Sequence, residues 1–141
     1  MMISTRGRYA LCVMIDLAEH INDGYIPMKE VAQRHGLSLK YLERIMAALS
    51  KNNLVDGVHG KGGGYRLNRL PENYTVGEIL RIAEGDLTPI SCPECVTDTC
   101  SRRDECKTIS MWNQFNNLTN EYFDGITIAD FLDDKKGMGC L

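Results

Sequence analysis

The sequence predicts a mainly α fold that carries one small β-hairpin. Three observations predict it. Apolar residues recur at helical spacing through the first third of the chain. Two of the helices so marked are separated only by a short turn containing Gly36. A glycine-rich run then lies between two short extended segments.

The first helix is expected over residues 5–21. Tyr9, Val13, Leu17 and Ile21 mark one stripe, flanked by Ala10, Met14 and Ala18, and Asn22-Asp23-Gly24 stops it. Pro27 is expected at the first position of a second, short helix whose apolar side is Met28, Val31 and Ala32. Gly36 ends that helix. Ser38 is a good N-cap for a third, with Leu42, Ile45, Met46 and Leu49 as its buried stripe.

Leu54-Val55-Asp56-Gly57-Val58 reads as a strand, His59-Gly60-Lys61-Gly62-Gly63-Gly64 as a hairpin tip and Tyr65-Arg66-Leu67 as the return strand. A helix-turn-helix followed by such a hairpin is a winged helix-turn-helix. A nucleotide-binding loop fits the glycines less well. That loop needs a following helix and a Ser/Thr after its lysine, and neither is present.

Thr75-Val76-Gly77-Glu78 reads as a capping box opening a helix with Ile79, Leu80 and Ile82, ended by Gly85. Residues 86–107 read as irregular. A long helix follows from Thr108, with Trp112, Phe115, Thr119 and Tyr122 as a coiled-coil-like seam. This is the expected C-terminal dimerisation helix. Gly125 ends it, and Thr127 caps a last short helix. The expected organisation is a DNA-binding domain at 1–85, a cysteine-rich loop at 86–107, dimer and terminal helices at 108–134 and a flexible tail at 135–141.

The composition of the 141 residues, 43% hydrophobic and 25% charged, is that of a globular chain. No apolar run reaches the roughly 20 residues of a membrane span, and no signal peptide is visible, so a cytoplasmic location is expected. The net charge of −3 hides an asymmetry. Residues 1–74 have a balance of +3 and residues 75–141 of −6. The basic half suits a phosphate-facing module. No acid/base pair or nucleophile constellation is present, and His20, His35 and His59 are dispersed, so no catalysis is expected.

If the third helix reads DNA, its N-terminal residues Ser38, Lys40, Tyr41, Glu43 and Arg44 face base edges. Lys40 or Arg44 can bond guanine O6/N7, and Glu43 can accept from cytosine N4. Ser4, Thr5, Arg6 and Arg8 are candidates for phosphate contacts, and His59 and Lys61 for minor-groove or backbone contacts from the wing. A two-fold dimer would match a palindromic operator in double-stranded DNA. A solvated polar face is the plainer explanation of any one of these charges. The set is stronger because apolar residues occupy the opposite face of the same helix.

Six cysteines suggest a metal or redox site in a reducing cytosol. Cys92, Cys95, Cys100 and Cys106 cluster, while Cys12 and Cys140 stand apart. Four thiolates suffice for zinc or for an iron–sulfur cluster. Spacing leaves those two, a disulfide switch and an inert loop open.

Three motifs in order, Ser4-Thr5-Arg6-Gly7-Arg8-Tyr9-Ala10, Leu37-Ser38-Leu39-Lys40-Tyr41-Leu42-Glu43 and Gly60-Lys61-Gly62-Gly63-Gly64-Tyr65, resemble the Rrf2 family of winged-helix transcription regulators. The cysteine loop and Trp112 extend the likeness to its iron–sulfur-sensing branch of IscR-like and NsrR-like proteins. The resemblance implies a dimeric regulator in which Cys92, Cys100 and Cys106 hold a cluster, [2Fe–2S] slightly favoured over [4Fe–4S]. IscR-like proteins often place a ligand His where this chain has Ile109, and Arg8 cannot replace the first-helix ligand of other relatives. Cys95 is then the candidate fourth ligand. The alternative is a relative that uses zinc, a thiol/disulfide switch or a protein partner instead of a cluster.

Overall fold

The computed structural model describes residues 3–90, 92 and 100–132. Three helices, α1 (Thr5–Glu19), α2 (Met28–His35) and α3 (Leu39–Lys51), precede the antiparallel pair β1 (Val55–Val58) and β2 (Gly64–Leu67). Then come α4 (Val76–Glu84), α5 (Ile109–Asp124) and α6 (Ile128–Leu132). The expected mainly α winged helix-turn-helix is the observed fold. The expected tail at 135–141, Cys95 and Cys140 lie outside the described residues.

α1 is the central helix. Ala10, Val13, Met14 and Leu17 are at most 1% exposed and share one core with Leu42, Ile45, Met46 and Leu49 of α3. Burial of this order is worth about 1.5–3 kcal/mol per large aliphatic side chain, so the two stripes fix how α1 and α3 pack. α1 ends at Glu19, earlier than the periodicity suggests. The Ile21 amide turns back to the Ala18 carbonyl (3.3 Å), tightening the last turn and leaving Ile21 exposed.

Pro27 is the N-cap of α2, in extended conformation, and not its first helical residue. The reason lies in the wing. Ile26 exchanges two backbone bonds with Tyr65, donating to it at 2.8 Å and accepting at 3.0 Å. The chain is therefore still extended until it reaches Pro27. Gly36 closes α2 with φ +64, a left-handed position that a side chain would strain. The Ser38 hydroxyl then accepts from the Tyr41 amide as the cap of α3.

The hairpin register pairs Val55 with Leu67 and Val58 with Gly64. Val55 and Leu67 are buried, residues 57–62 are exposed, and Gly63, Gly64 and Tyr65 are half-buried. Tyr74, fully buried, ties the hairpin base to α4 by donating to the Leu54 carbonyl at 2.7 Å and accepting the Asn68 and Arg69 amides at 3.0 Å.

Thr75 caps α4 as expected, its hydroxyl accepting from the Glu78 amide. The Glu78 carboxylate pairs with Arg69 (3.0 Å). The backbone beside Thr75 is held instead by the returning C-terminal segment: the Val76 amide donates to Ile126 O, and the Ile128 amide to Tyr74 O. Ile128 is fully buried in the α1–α3 core. The last helix, α6, thus contributes to the same core as the helix-turn-helix.

The exposed apolar stripe of α5 differs from the expected seam. Thr119 is buried, its hydroxyl donating to the Phe115 carbonyl, and Trp112 is half-buried. The large exposed apolar residues are Met111, Phe115, Leu118 and Tyr122, spaced i, i+4, i+7, i+11. α5 packs against α4 with Thr119 turned inward, so the exposed stripe keeps Phe115 and Tyr122 and takes Met111 and Leu118 in place of Trp112 and Thr119. No helix of the described residues is long and apolar enough to cross a membrane.

Candidate nucleic-acid interface and cysteine loop

The first turns of α1 and α3 present the candidate contact residues. Thr5, Arg6 and Arg8 are exposed on α1, and Ser38, Lys40, Glu43 and Arg44 on α3. Ser38, Lys40, Tyr41 and Arg44 line one shallow depression. The rings of Tyr9 and Tyr41 meet edge-to-face, centroids 5.9 Å apart, which locks the two helix starts together. Seven exposed polar residues therefore sit on two adjoining helix ends, above a face of α3 that is wholly apolar and buried.

Ser4 has a different placement from its neighbours. Its hydroxyl accepts from the Arg6 amide (3.2 Å) and donates to Glu84 Oε1 (2.7 Å). This engaged, half-buried group anchors the helix start and does not face outward as expected.

His59 and Lys61 are exposed at the wing tip. Among the described residues, no hydrogen bond or ring contact joins them to α1 or α3. The hairpin is held along β2 by the segment before α2. The Arg66 guanidinium stacks 4.5 Å over the Tyr25 ring, and Ile26 pairs with Tyr65.

Asp16 was not among the expected functional positions. It is 3% exposed on α1, and it holds the end of α2 through Arg34 and His35. Its carboxyl lies below the ordinary range. Burial pushes it up, but the hydrogen bonds from Arg34 and His35 outweigh that. The signal available in the sequence is an Asp within an apolar stripe, with an Arg-His pair ending the next helix. Asp16 fixes where α2 lies, and hence where the turn delivers α3.

In the cysteine loop, Cys92 is exposed, and Cys100 and Cys106 are half-buried. Cys106 Sγ lies 3.7 Å from the hydroxyl of Thr108, the N-cap of α5. Thiols are suitable donors for an iron–sulfur cluster or zinc, and Arg102 and Arg103 lie exposed between Cys100 and Cys106. The chemistry of the donor set fits such a group. Among the described residues, however, no three Cys, His, Asp or Glu side chains converge on one point. The expected fourth donor, Cys95, lies outside the described residues.

Residues 3–134 match the family model of Rrf2, described as "Iron-dependent Transcriptional regulator". The chain belongs to the Rrf2 family. This Rrf2 chain is 31% identical over 136 residues to the HTH-type transcriptional regulator IscR of Aliivibrio salmonicida, covering 96% of this chain and 80% of that protein. Among solved structures, T. potens IscR is similar at 36% identity and TM-score 0.75, covering 99% of this chain and 93% of the other. CymR, the global cysteine regulator of B. subtilis, is similar at 32% identity and TM-score 0.76, covering 94% and 97%. An oxidized form of Staphylococcus aureus CymR is similar at 29% identity and TM-score 0.70, covering 95% and 97%. These relatives are named as regulators, not enzymes, and this Rrf2 chain is a DNA-binding transcription regulator.

Proposed function

We propose that this regulator is a cytoplasmic homodimer whose affinity for a palindromic operator is set by an iron–sulfur cluster in the 86–107 loop. The observation that carries the DNA half of this reading is the pair of adjoining helix starts, α1 and α3, locked by Tyr9 and Tyr41. Lys40, Glu43 and Arg44 read base edges, assisted by Ser38 and Tyr41. Thr5, Arg6 and Arg8 contact phosphates, with Ser4 as their anchor, and His59 and Lys61 reach the duplex from the wing. The domain layout is a reader at 1–85, a sensing loop at 86–107 and a dimer arm at 108–134.

The dimer is supported by the α5 stripe. Met111, Phe115, Leu118 and Tyr122 are 45–66% exposed at heptad-like spacing, an arrangement that a second copy of α5 would cover.

Cys92, Cys100 and Cys106 would hold the cluster, with Cys95 as the remaining thiol. The cluster, [2Fe–2S] ahead of [4Fe–4S], would supply a redox-, nitric-oxide- or iron-responsive centre. The protein's part is to hold it beside the N-terminus of α5, so that loop order depends on its presence. Signalling then requires different DNA affinities in the two states. Anaerobic purification from iron-replete cells, with absorbance and iron, sulfide and zinc analysis, tests this reading. A coloured protein containing iron and acid-labile sulfide is expected. A colourless protein carrying zinc overturns the cluster.

A second reading, a thiol switch in the same loop, is favoured by the likeness to CymR, of which an oxidized form is known. It predicts that peroxide alters DNA affinity in metal-free protein, and that a Cys106→Ser variant abolishes the response.

A further inference from the structure

The N-terminus of α1 is occupied by a carboxylate from a distant part of the chain. Glu84, the last residue of α4, turns one oxygen onto three donors. Its Oε1 accepts from the Ser4 amide at 2.7 Å, the Ser4 hydroxyl at 2.7 Å and the Gly7 amide at 3.0 Å. The first turn of α1 contains no acidic residue of its own. Glu84 therefore supplies the negative charge that a helix N-terminus favours and satisfies amides that would otherwise lack partners. Gly7 is buried directly beneath it, and a Cβ there would collide with Glu84 Oε1, so the carboxylate and the glycine form one fitted contact.

We propose that Glu84 is a positioning residue for DNA binding. It touches no DNA. It fixes the register and tilt of the first turn of α1, from which Thr5, Arg6 and Arg8 project as exposed side chains. This rests on the reading that those residues contact phosphates. The position of Glu84 makes it a junction as well as a cap. Gly85 follows it, and then Leu87, which is buried with Ile3, Leu11 and Phe123 in a second small core. The residue before Ser4, the first residues of the cysteine loop and the end of α5 thus meet around the same contact.

Bare electrostatics predicts the opposite of positioning. A carboxylate next to phosphate-facing arginines opposes DNA, so deleting its charge would tighten binding, whether by Glu84→Ala or by Glu84→Gln. Under positioning, Glu84→Ala weakens binding, while Glu84→Gln, which keeps a carbonyl oxygen at the site, stays close to wild type.

The test is a fluorescence-anisotropy titration of the full-length chain against a labelled duplex of scrambled sequence, repeated over a salt series. A scrambled duplex isolates phosphate contacts, and each lost contact lowers the salt slope by about 1. The expected result is a slope lower by about 1–2 for Glu84→Ala and an unchanged slope for Glu84→Gln. A lower melting temperature with a wild-type slope would show a structural role only and overturns the proposal. So does tighter binding by both variants. Arg6→Ala and Arg8→Ala are run alongside. If they leave the slope unchanged, the reading of α1 as a phosphate contact fails, independently of Glu84. Where Glu84→Ala folds poorly, Ser4→Ala removes the hydroxyl between Glu84 and the Arg6 amide without touching the core. It must also lower the slope, and a wild-type slope there overturns the proposal.

Discussion

The Arg34 guanidinium grips the Asp16 carboxylate through two bonds, Nε to Oδ2 at 2.9 Å and Nη2 to Oδ1 at 2.5 Å. His35 Nε2 lies 2.9 Å from the same Oδ2. One buried carboxylate on α1 thereby fixes the last turn of α2, the helix that leads through Gly36 into α3.

Asp16→Asn removes the buried charge and leaves the partly exposed Arg34 and His35 without their carboxylate. It is expected to cost about 1–3 kcal/mol, measured by urea unfolding at neutral pH. The exposed pair Arg81–Asp124 (2.8 Å) provides the contrast. Its side chains are 37% and 45% exposed, so Asp124→Asn should cost no more than about 1 kcal/mol. A smaller loss for Asp16→Asn than for Asp124→Asn would remove Asp16 from its anchoring role.

The pH dependence of stability follows from the same residue. The folded-state carboxyl of Asp16 is depressed by Arg34 and His35 against the upward push of burial. A depressed group stabilises fully above its unfolded value of about 3.9, and that stabilisation disappears as the pH falls through the folded value. Wild type should lose stability steeply below about pH 4, and Asp16→Asn less steeply. Parallel acid limbs in the two proteins would contradict this.

Tyr74→Phe removes the hydroxyl that serves the Leu54 carbonyl and the Asn68 and Arg69 amides. Unsatisfied groups at a buried site cost about 1–3 kcal/mol, and a drop in melting temperature of several degrees is the expected readout. The hairpin base depends on this hydroxyl, so amide exchange should rise first at Asn68 and Arg69.

Arg44 and Lys61 should separate base reading from phosphate contact. Arg44→Ala is expected to cost about 1–3 kcal/mol on the cognate duplex and little on a scrambled one. Lys61→Ala should weaken both alike. Equal losses on both duplexes for Arg44→Ala would take it off the base-reading face.

The α5 stripe is tested by charge. Leu118, 61% exposed, lies in the middle of the stripe. Leu118→Glu should convert a dimer to a monomer in sedimentation equilibrium and leave the monomer folded. Trp112→Glu would not discriminate, because Trp112 is partly packed within its own chain.

Local signals were legible where one residue decides the backbone. Gly36 ends α2, Ser38 and Thr75 cap α3 and α4, and the glycine run turns the hairpin. The apolar stripes of α1 and α3 were legible because burial repeats at the helical period. On α5, Phe115 and Tyr122 of the expected seam are exposed, whereas Thr119 is buried and Met111 and Leu118 join the exposed stripe. Its period fits two neighbouring faces, and only its packing against α4 selects which one turns inward. Pro27 was placed one position too far into α2 for a similar reason, since the bridge from Ile26 to Tyr65 lies across the fold.

The sequence by itself determined the element order, the winged arrangement and the family. Each of these is written in residues close together along the chain. Tertiary structure alone decided that Asp16 meets Arg34 and His35, that Ile128 completes the core beneath α1, and that Glu84 caps Ser4 and Gly7 from 80 and 77 residues away. The physical reason is the same in all three. A polar or apolar residue shows its own preference for burial or pairing, but the partner that satisfies it is chosen by how the helices pack.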